Sequence, residues 1–156
     1  MSIGDICNRE VIIAYKQENL EKAVRLMREY HVGDVIVVEE RDGGRVPVGI
    51  LTDRDILISV IGEDIEPRDI SIEDVMSFEL LTGHVDDSLL ESLARMRQKG
   101  VRRLPVVDGR GELVGILTMD DIIDVLAEEI ADLAGLIRNE QKREIGRAVD
   151  TGAPAD

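Results

Sequence analysis

The chain has 156 residues, 44% of them hydrophobic, which is enough for a compact domain with an aliphatic core. Its 33 acidic and 19 basic residues give a net charge of −14, and this charge argues against nucleic acids and anionic membranes as partners, because both bind through clustered Lys and Arg. With two Tyr, one Phe and no Trp, the chain also lacks the aromatic residues of a base-stacking platform.

The first residues do not form a secretory signal, and no apolar run approaches the length of a membrane span. The lone cysteine, Cys7, excludes an internal disulfide and fits a reducing compartment. We therefore expect a soluble, acidic protein of the cytoplasm, with Cys7 as a small buried apolar residue.

The first predicted element is a short helix, which the Ser2-x-x-Asp5 pattern would cap at its start. A short strand is predicted at residues 11–13. Asn19 then caps an amphipathic helix, whose buried stripe has the three-and-four spacing of a helix face. The apolar members of this stripe are Leu20, Ala23, Val24 and Met27.

A β-hairpin follows in the first half of the chain. Its first strand covers residues 34–38, and the turn at 41–44 contains Asp-Gly and Gly-Gly pairs, which tolerate the positive φ of a tight turn. The second strand ends at Thr52, where another helix begins. Residues 62–70 form the predicted connector to the second half.

The second half repeats this order of elements. The segment Val48–Ile56 returns as Val114–Ile122, with the same residue at most positions. The other predicted features are a helix start at Ser71-x-x-Asp74, a strand at 80–82, a helix with a Ser88–Glu91 capping box and the apolar residues Leu89, Leu90, Leu93 and Met96, and a hairpin with a strand at 103–107, a turn at 108–111 and an end at Thr118. Each half is too small to cover its own apolar face, so we expect the halves to pack face to face.

The last helix keeps its apolar stripe far beyond the length of its counterpart at residues 53–61. The stripe comprises Ile122, Ile123, Leu126, Ile130, Leu133, Leu136 and Ile137. It needs a covering surface, either the first repeat or a second chain, and we favour a second chain, which predicts a homodimer. The predicted boundaries are 1–64 and 65–130 for the two repeats, 131–146 for a helical extension and 147–156 for a flexible tail.

The sharpest functional signal is the pair of motifs Thr52-x-x-Asp55 and Thr118-x-x-Asp121. A Thr at the N-cap with an Asp three residues later can stabilise a helix start without any ligand. Both copies, however, follow Gly-Ile-Leu at a strand-to-helix junction, which is a common place for a ligand crevice. A carboxylate there repels phosphate but suits the paired hydroxyls of a ribose. We therefore predict ribose binding for at least one copy, together with capping.

Arg102 and Arg103 precede a strand in the second half. Adjacent arginines are usually solvated surface charges, but in so acidic a chain they would form a local anion site, and their forked donors fit phosphate oxygens. The matching residues of the first half, Gly33 and Asp34, offer no such charge. Two sites built from the two halves should therefore hold phosphate unequally.

Nothing in the sequence indicates catalysis or a resident metal. Asp53, Asp120 and Asp121 could meet magnesium that a nucleotide carries in, although acids are common in a first helical turn. His31 and His84 have no Cys or second His at ligand spacing, which argues against zinc. The chain has no Ser-His-Asp or Cys-His arrangement, no P-loop and no Gly-x-Gly-x-x-Gly pattern.

These motifs together resemble the tandem repeat of a cystathionine-β-synthase-type (CBS) domain pair, also called a Bateman module. The resemblance covers about residues 2–130 and rests on the segments 49–55, 115–121 and 101–108. It implies an α/β (α+β) fold of two βαββα units, packed sheet to sheet with pseudo-twofold symmetry and followed here by the long C-terminal helix. It also implies two clefts.

The resemblance assigns a role to each candidate residue. Asp55 and Asp121 would hold ribose hydroxyls, and the Thr of each motif would lie near the ribose or phosphate. Arg102 and Arg103 would approach the phosphates; the missing basic pair at 33–34 departs from the family pattern and weakens the case for a second phosphate site. An aliphatic adenine pocket would comprise Val75, Val101 and Ile50 in the cleft of Asp55, and Ile6, Val32 and Ile116 in the cleft of Asp121.

The function implied by the resemblance is a non-catalytic sensor that binds AMP, ADP or ATP, with or without magnesium, and regulates an unidentified protein partner in trans. S-adenosylmethionine and NAD are alternative ligands, and no cofactor is required. The competing hypothesis is a structural dimerisation or assembly module whose clefts bind nothing. A nucleotide hydrolase or a DNA-binding regulator has less support, because we find no catalytic base, metal cluster or helix-turn-helix element.

Overall fold

The duplicated sequence folds into two three-stranded sheets, one from each half of the chain. The computed structural model describes residues 1–150 in two units, of which the first spans Met1–Thr118 and the second begins at Met119. The elements of the first unit are α1 (Ile3–Ile6), β1 (Ile13–Tyr15), α2 (Leu20–Tyr30), β2 (Asp34–Arg41), β3 (Gly44–Thr52), α3 (Asp53–Gly62), 3-10 turns at Pro67–Asp69 and Ile72–Asp74, β4 (Gly83–His84), α4 (Leu89–Lys99), β5 (Arg103–Val107) and β6 (Leu113–Thr118). The second unit is the helix α5 (Met119–Asp150).

Both sheets have the same topology and the same irregularity. In each sheet a short first strand is parallel to the central strand, which forms an antiparallel hairpin with the third strand. The register shifts between Val37 and Val38 in β2 and between Val106 and Val107 in β5. These positions are equivalent in the repeat, so the duplication extends to a detail of backbone geometry, a bulge in the central strand.

The two sheets pack against each other through their hairpins. Ile36 and Val38 of β2 form one buried cluster with Ile116 of β6, and Ile13 and Ile50 pack at its edge. Burial of each such aliphatic side chain contributes about 1.5–3 kcal/mol. The predicted face-to-face packing of the two halves is therefore confirmed.

The N-terminal segment of each half is hydrogen-bonded to the sheet of the other half. Asn8 and Ile116 exchange two backbone hydrogen bonds of 2.9 Å, so the start of the chain extends the second sheet. Ser77 and Ile50 exchange the equivalent pair at 2.9 and 3.1 Å on the first sheet. These two pairs of hydrogen bonds follow the pseudo-twofold symmetry of the fold, and they link each half of the chain to the sheet of the other half.

Two of the predicted helix starts have the expected cap. The Asp5 carboxylate accepts hydrogen bonds from the amide and the hydroxyl of Ser2, at 3.3 and 2.7 Å. The side chain of Asn19 accepts from the amide of Lys22 at 3.0 Å. Each cap satisfies an amide that the helix itself leaves without a partner.

The predicted capping box of Ser88 and Glu91 is wrong. Ser88 stands at the N-cap of α4, but its side chain makes no capping hydrogen bond. The first amide of the helix, at Leu89, instead donates to the carbonyl of Met1 at 3.2 Å. A backbone segment that is remote in sequence therefore satisfies one of the first amides of this helix, while the predicted side-chain pair does not form.

The predicted strands at 11–13 and 80–82 are displaced toward the C-terminus. The observed strands are β1, at 13–15, and β4, at 83–84. Val11 packs at the edge of the cluster between the sheets, and Leu81 is only partly buried. Apolar composition therefore marks residues that pack near a strand start, but it does not locate the first ladder hydrogen bond.

The predicted buried stripes of α2 and α4 are each too wide. Val24 is 41% exposed and Leu90 is 68% exposed. In α4 the buried face runs through Leu89, Ser92 and Met96, so a small serine that the predicted stripe did not include lies in the core.

The helix α5 continues to Asp150, beyond residue 147, where the sequence predicted the start of a flexible tail. The single Gly146 in this stretch costs only about 1 kcal/mol in a helix interior and does not end it. The rest of the predicted tail, 151–156, lies outside the described residues. Within residues 1–150, no helix is both long and apolar enough to cross a bilayer.

Candidate functional site

The structure brings five of the predicted site residues together in one groove of about 300 Å³ in the first unit. These residues are Ile50, Thr52, Val101, Arg102 and Arg103. Residues from separate segments of the chain thus converge, as expected for a ligand site at the carboxyl end of a strand.

Strand pairing and a helix end place these side chains. In the β2–β3 hairpin, Asp34 is the register partner of Thr52, so the start of one strand and the end of the other share one edge of the sheet. Gly100 ends α4 with a left-handed φ of 69°, and the chain reverses there. Glycine adopts this conformation without strain. The reversal delivers Val101 and Arg102 to the groove.

Thr52 and Asp55 form the capping box that the ligand-free interpretation of the motif predicted. The Asp55 amide donates to Thr52 Oγ1, and the Thr52 amide donates to Asp55 Oδ2, both at 3.1 Å. Asp55 remains half-buried, and its Oδ1 makes no hydrogen bond to the part of the chain that the structure describes. Thr52 itself lines the groove. Capping therefore leaves the threonine hydroxyl proton available in the groove and one carboxylate oxygen of Asp55 outside the capping bonds, although Asp55 is not among the residues that line the groove.

Arg103 forms an ion pair with Asp34, the residue that occupies its equivalent position in the first half. The Asp34 side chain is only 12% exposed. Burial raises the pKa of the Asp34 carboxyl; the Arg103 guanidinium opposes this rise, and the nearby Asp53 carboxylate adds to it. The first half therefore does more than lack a basic pair, because its acid neutralises one of the two arginines of the second half.

Arg102 differs from its neighbour. Its side chain is exposed, and the structure gives it no ion pair among the described residues. It is thus the groove arginine whose charge is not neutralised by a carboxylate of the described residues. Lys99 adds a second cation in an adjoining depression of about 380 Å³, which shares four residues with the groove.

Sequence reasoning missed several residues of this surface. Glu79, Leu80 and Leu81 line both the groove and the adjoining depression. The sequence pattern predicts a strand at Leu80 and Leu81, so it gave no reason to expect these residues in the lining of a groove. Phe78, the only phenylalanine of the chain, lines the adjoining depression and is 63% exposed. The adjoining depression therefore contains one aromatic ring, although the composition excludes an extended aromatic platform.

The remaining predicted residues, Asp55 among them, do not line this groove. Val75 is half-buried and packs against the core of the first half. Thr118 ends β6 in the first unit, whereas Asp121 lies in the first turn of α5 in the second unit. The cleft that the sequence assigned to Asp121 with Ile6, Val32 and Ile116 stays a prediction. Among residues 1–150, no cluster of three His, Cys, Asp or Glu side chains could hold a metal ion.

Comparison with known proteins agrees with this architecture. A family model of the CBS domain matches residues 3–62 and 72–128. An uncharacterized protein of Methanopyrus kandleri is 38% identical over 125 residues, which are 80% of this chain and 62% of that protein. A CBS domain-containing protein of Bacillus subtilis is 32% identical over 134 residues, which are 85% of this chain and 91% of that protein. The chain thus spans about three fifths of the first relative and nearly all of the second.

Solved structures share the fold. The CBS domain pair of a protein crystallised with 5′-methylthioadenosine and S-adenosyl-L-methionine matches 83% of this chain and 98% of its own, with a TM-score of 0.69 and 23% identity. The cytosolic domain of the Mg²⁺ channel MgtE, crystallised with ATP, matches 80% of this chain and 48% of its own, with a TM-score of 0.67 and 26% identity.

Proposed function

Because the chain belongs to the CBS domain family and carries two CBS repeats, we propose that its groove binds an adenosyl ligand and that the protein is a non-catalytic regulatory module acting on a partner protein in trans. The observation that carries this proposal is the convergence of Thr52, Arg102 and an aliphatic wall in one groove. The ATP-bound relative supports the class of ligand.

The groove offers a separate contact for each part of an adenosyl ligand. Ile50, Leu80 and Val101 supply apolar surface for the faces of the base. The Thr52 hydroxyl can donate a hydrogen bond to the ribose, and Asp55, which is hydrogen-bonded to Thr52 but does not itself line the groove, can accept from ribose hydroxyls through Oδ1. Arg102 can donate to a phosphate or carboxylate through its planar fork.

The charge of the groove favours ligands with few phosphates. Asp34 already pairs with Arg103, and Glu79 adds another acid to the lining, so Arg102 is the only uncompensated cation among the residues that line the groove. Each further phosphate would add negative charge next to these carboxylates in a protein whose net charge is −14. AMP or S-adenosylmethionine should therefore bind better than ATP.

Titration calorimetry with adenosine, AMP, ADP, ATP, NAD and S-adenosylmethionine tests the proposal directly. A thermal-shift panel gives an independent readout, since a ligand at a hundredfold excess over Kd adds about 2.7 kcal/mol. For a chain of this size, each kcal/mol shifts the melting temperature by about 2–4 °C. Arg102→Ala should weaken AMP but leave adenosine unchanged.

One competing function has an observation of its own. The exposed apolar stripe of α5 favours a structural assembly module. If none of the six ligands shifts the melting temperature or releases heat, the groove is not an adenosyl site and assembly becomes the leading function.

A further inference from the structure

The helix α5 presents an uncovered apolar stripe along most of its length. Ile130, Leu133 and Leu136 are 66, 63 and 66% exposed, and Ile123 and Ile137 are 53 and 55% exposed. The alternating spacing of three and four residues is that of a helix-pairing seam, in which each side chain inserts between residues of a facing helix. A continuous exposed stripe of this kind marks a contact surface.

The charges of α5 are divided between its two ends. Residues 119–134 contain six acids, Asp120, Asp121, Asp124, Glu128, Glu129 and Asp132, and no base, so this half carries a charge of −6. Residues 135–150 contain four bases, Arg138, Lys142, Arg143 and Arg147, and three acids, Glu140, Glu144 and Asp150, so this half carries +1. Like charges four residues apart, such as Asp120 and Asp124, do not stabilise a helix from within.

This division of charge favours an antiparallel orientation for a pair of α5 helices. A parallel helix pair would set a −6 half against another −6 half, whereas an antiparallel pair sets each −6 half against a +1 half. The same helix therefore carries an acidic surface and its own complement. In a contact related by a twofold axis, the acidic half of each copy meets the basic half of the other. Two copies of this helix are therefore complementary in charge.

We propose that α5 pairs with α5 of a second copy of this chain, antiparallel and through the stripe centred on Leu133 and Leu136. This inference does not depend on the groove or its ligand. It assigns the covering surface of the stripe to a second copy of the chain, and it sets the two helices antiparallel about a twofold axis.

The first test measures the mass of the full-length protein by light scattering as concentration is raised. The unaltered chain should reach twice the monomer mass, and Leu133→Glu combined with Leu136→Glu should reduce it to the monomer mass. Both side chains are more than 60% exposed, so the variant should keep its circular dichroism spectrum. Ala131→Glu, which adds an acid at an exposed neighbour outside the stripe, should leave the dimer intact.

A second variant separates α5 from other apolar surfaces. Ile61 on α3 is 73% exposed, and Ile61→Glu should not change the mass. A dimer that survives the α5 double variant but dissociates in Ile61→Glu would place the contact on α3 and overturn the proposal. An unaltered chain that remains a monomer at all concentrations would overturn it as well.

Disulfide cross-linking tests the orientation. Ile123→Cys and Ile145→Cys lie 22 residues apart, about 33 Å along a helix, which far exceeds the reach of a disulfide. In an antiparallel pair, a mixture of the two variants should form the mixed disulfide, and neither variant alone should cross-link. The parent chain is the control, since its only cysteine, Cys7, is buried. Efficient cross-linking of each variant to itself would show a parallel pair and contradict the proposal.

A titration of the α5 double variant, Leu133→Glu with Leu136→Glu, against AMP and S-adenosylmethionine distinguishes the two proposals. Loss of the dimer with unchanged ligand affinity would support the α5 contact and leave the groove proposal standing. An unaltered chain that forms the dimer but binds neither ligand would support the α5 contact and count only against the groove.

Discussion

The entrances of the two central strands are the most instructive pair of regions in this molecule. β2 and β5 share their pairing, their bulge and their place in the sheet, yet β2 begins with Asp34 and β5 with Arg103. These two equivalent residues form an ion pair with each other. The two repeats thus have the same backbone geometry but opposite charges at one pair of positions, so the two halves differ where a ligand would meet them.

The largest effect on stability should come from removing one partner of this ion pair. Arg103→Met leaves the largely buried Asp34 carboxylate without its cation, and we expect a loss of about 2 kcal/mol at pH 7, because an unsatisfied charged group keeps its desolvation penalty. Arg102→Met is the matched control and should cost less than about 0.5 kcal/mol, as expected for an exposed surface residue. Urea denaturation of the three proteins measures the difference.

The pH dependence of that loss sharpens the comparison. The pKa of Asp34 is raised in the folded protein, so its contribution to stability is present below its unfolded pKa and is lost as the pH rises through the folded pKa. Removing Arg103 takes away an influence that lowers this pKa. The deficit of Arg103→Met should therefore be larger at pH 7 than at pH 4, and an equal deficit at both pH values would show that Asp34 does not cause it.

The next effect concerns the anion contact of the groove. Arg102→Ala should weaken AMP by about tenfold, since a hydrogen bond to a charged group contributes about 1.5–3 kcal/mol and this arginine is exposed. Adenosine should bind equally well to both proteins. Titration calorimetry measures both ligands, and a similar loss for adenosine would remove the phosphate assignment.

Asp55→Ala should act on both stability and binding. The loss of its capping-box hydrogen bond should cost about 0.5–2 kcal/mol, and the loss of the ribose acceptor should weaken adenosine and AMP alike. Asp121→Ala tests the equivalent motif of the second half. If only Asp55→Ala weakens the ligand, one cleft is used; if Asp121→Ala has the larger effect, the groove beside Thr52 is the minor site.

The smallest expected effects compare the caps of the two long repeat helices. Asn19→Ala removes an observed capping hydrogen bond and should cost about 1 kcal/mol. Ser88→Ala removes a side chain that makes no such bond and should cost less than about 0.5 kcal/mol, the range of a neutral surface change. Thermal denaturation resolves this difference, and equal losses would show that Ser88 stabilises its helix by another route.

Sequence periodicity predicted the element order of both halves, the hairpins and the strand-to-helix junctions at Thr52 and Thr118. It failed where a contact is remote in sequence. The first amide of α4 is satisfied by the carbonyl of Met1, and the sheet of each half is extended by the N-terminal segment of the other half. No local pattern signals such exchanges, because the partners are far apart along the chain.

The same division applies to the groove. Thr52, Arg102, Arg103, Ile50 and Val101 were identified from repeated motifs, from adjacent charges or from the family resemblance, and the structure places them together. The wall formed by Leu80 and Leu81 and the exposed ring of Phe78 were missed. Apolar residues in a sequence predict burial in general, and only the packed chain shows which of them remain at a surface.

By itself, the sequence determined that this protein is a tandem repeat with an aliphatic core, a strongly acidic surface and two strand-to-helix junctions that share one motif. Those properties depend on residue type and short spacing, which the chain carries locally. The tertiary structure decided that Asp34 neutralises Arg103 and that Arg102 lines the groove without such a partner among the described residues. Side chains at equivalent positions of two repeats can pair only after the sheets pack face to face, so their combined charge is a property of the fold.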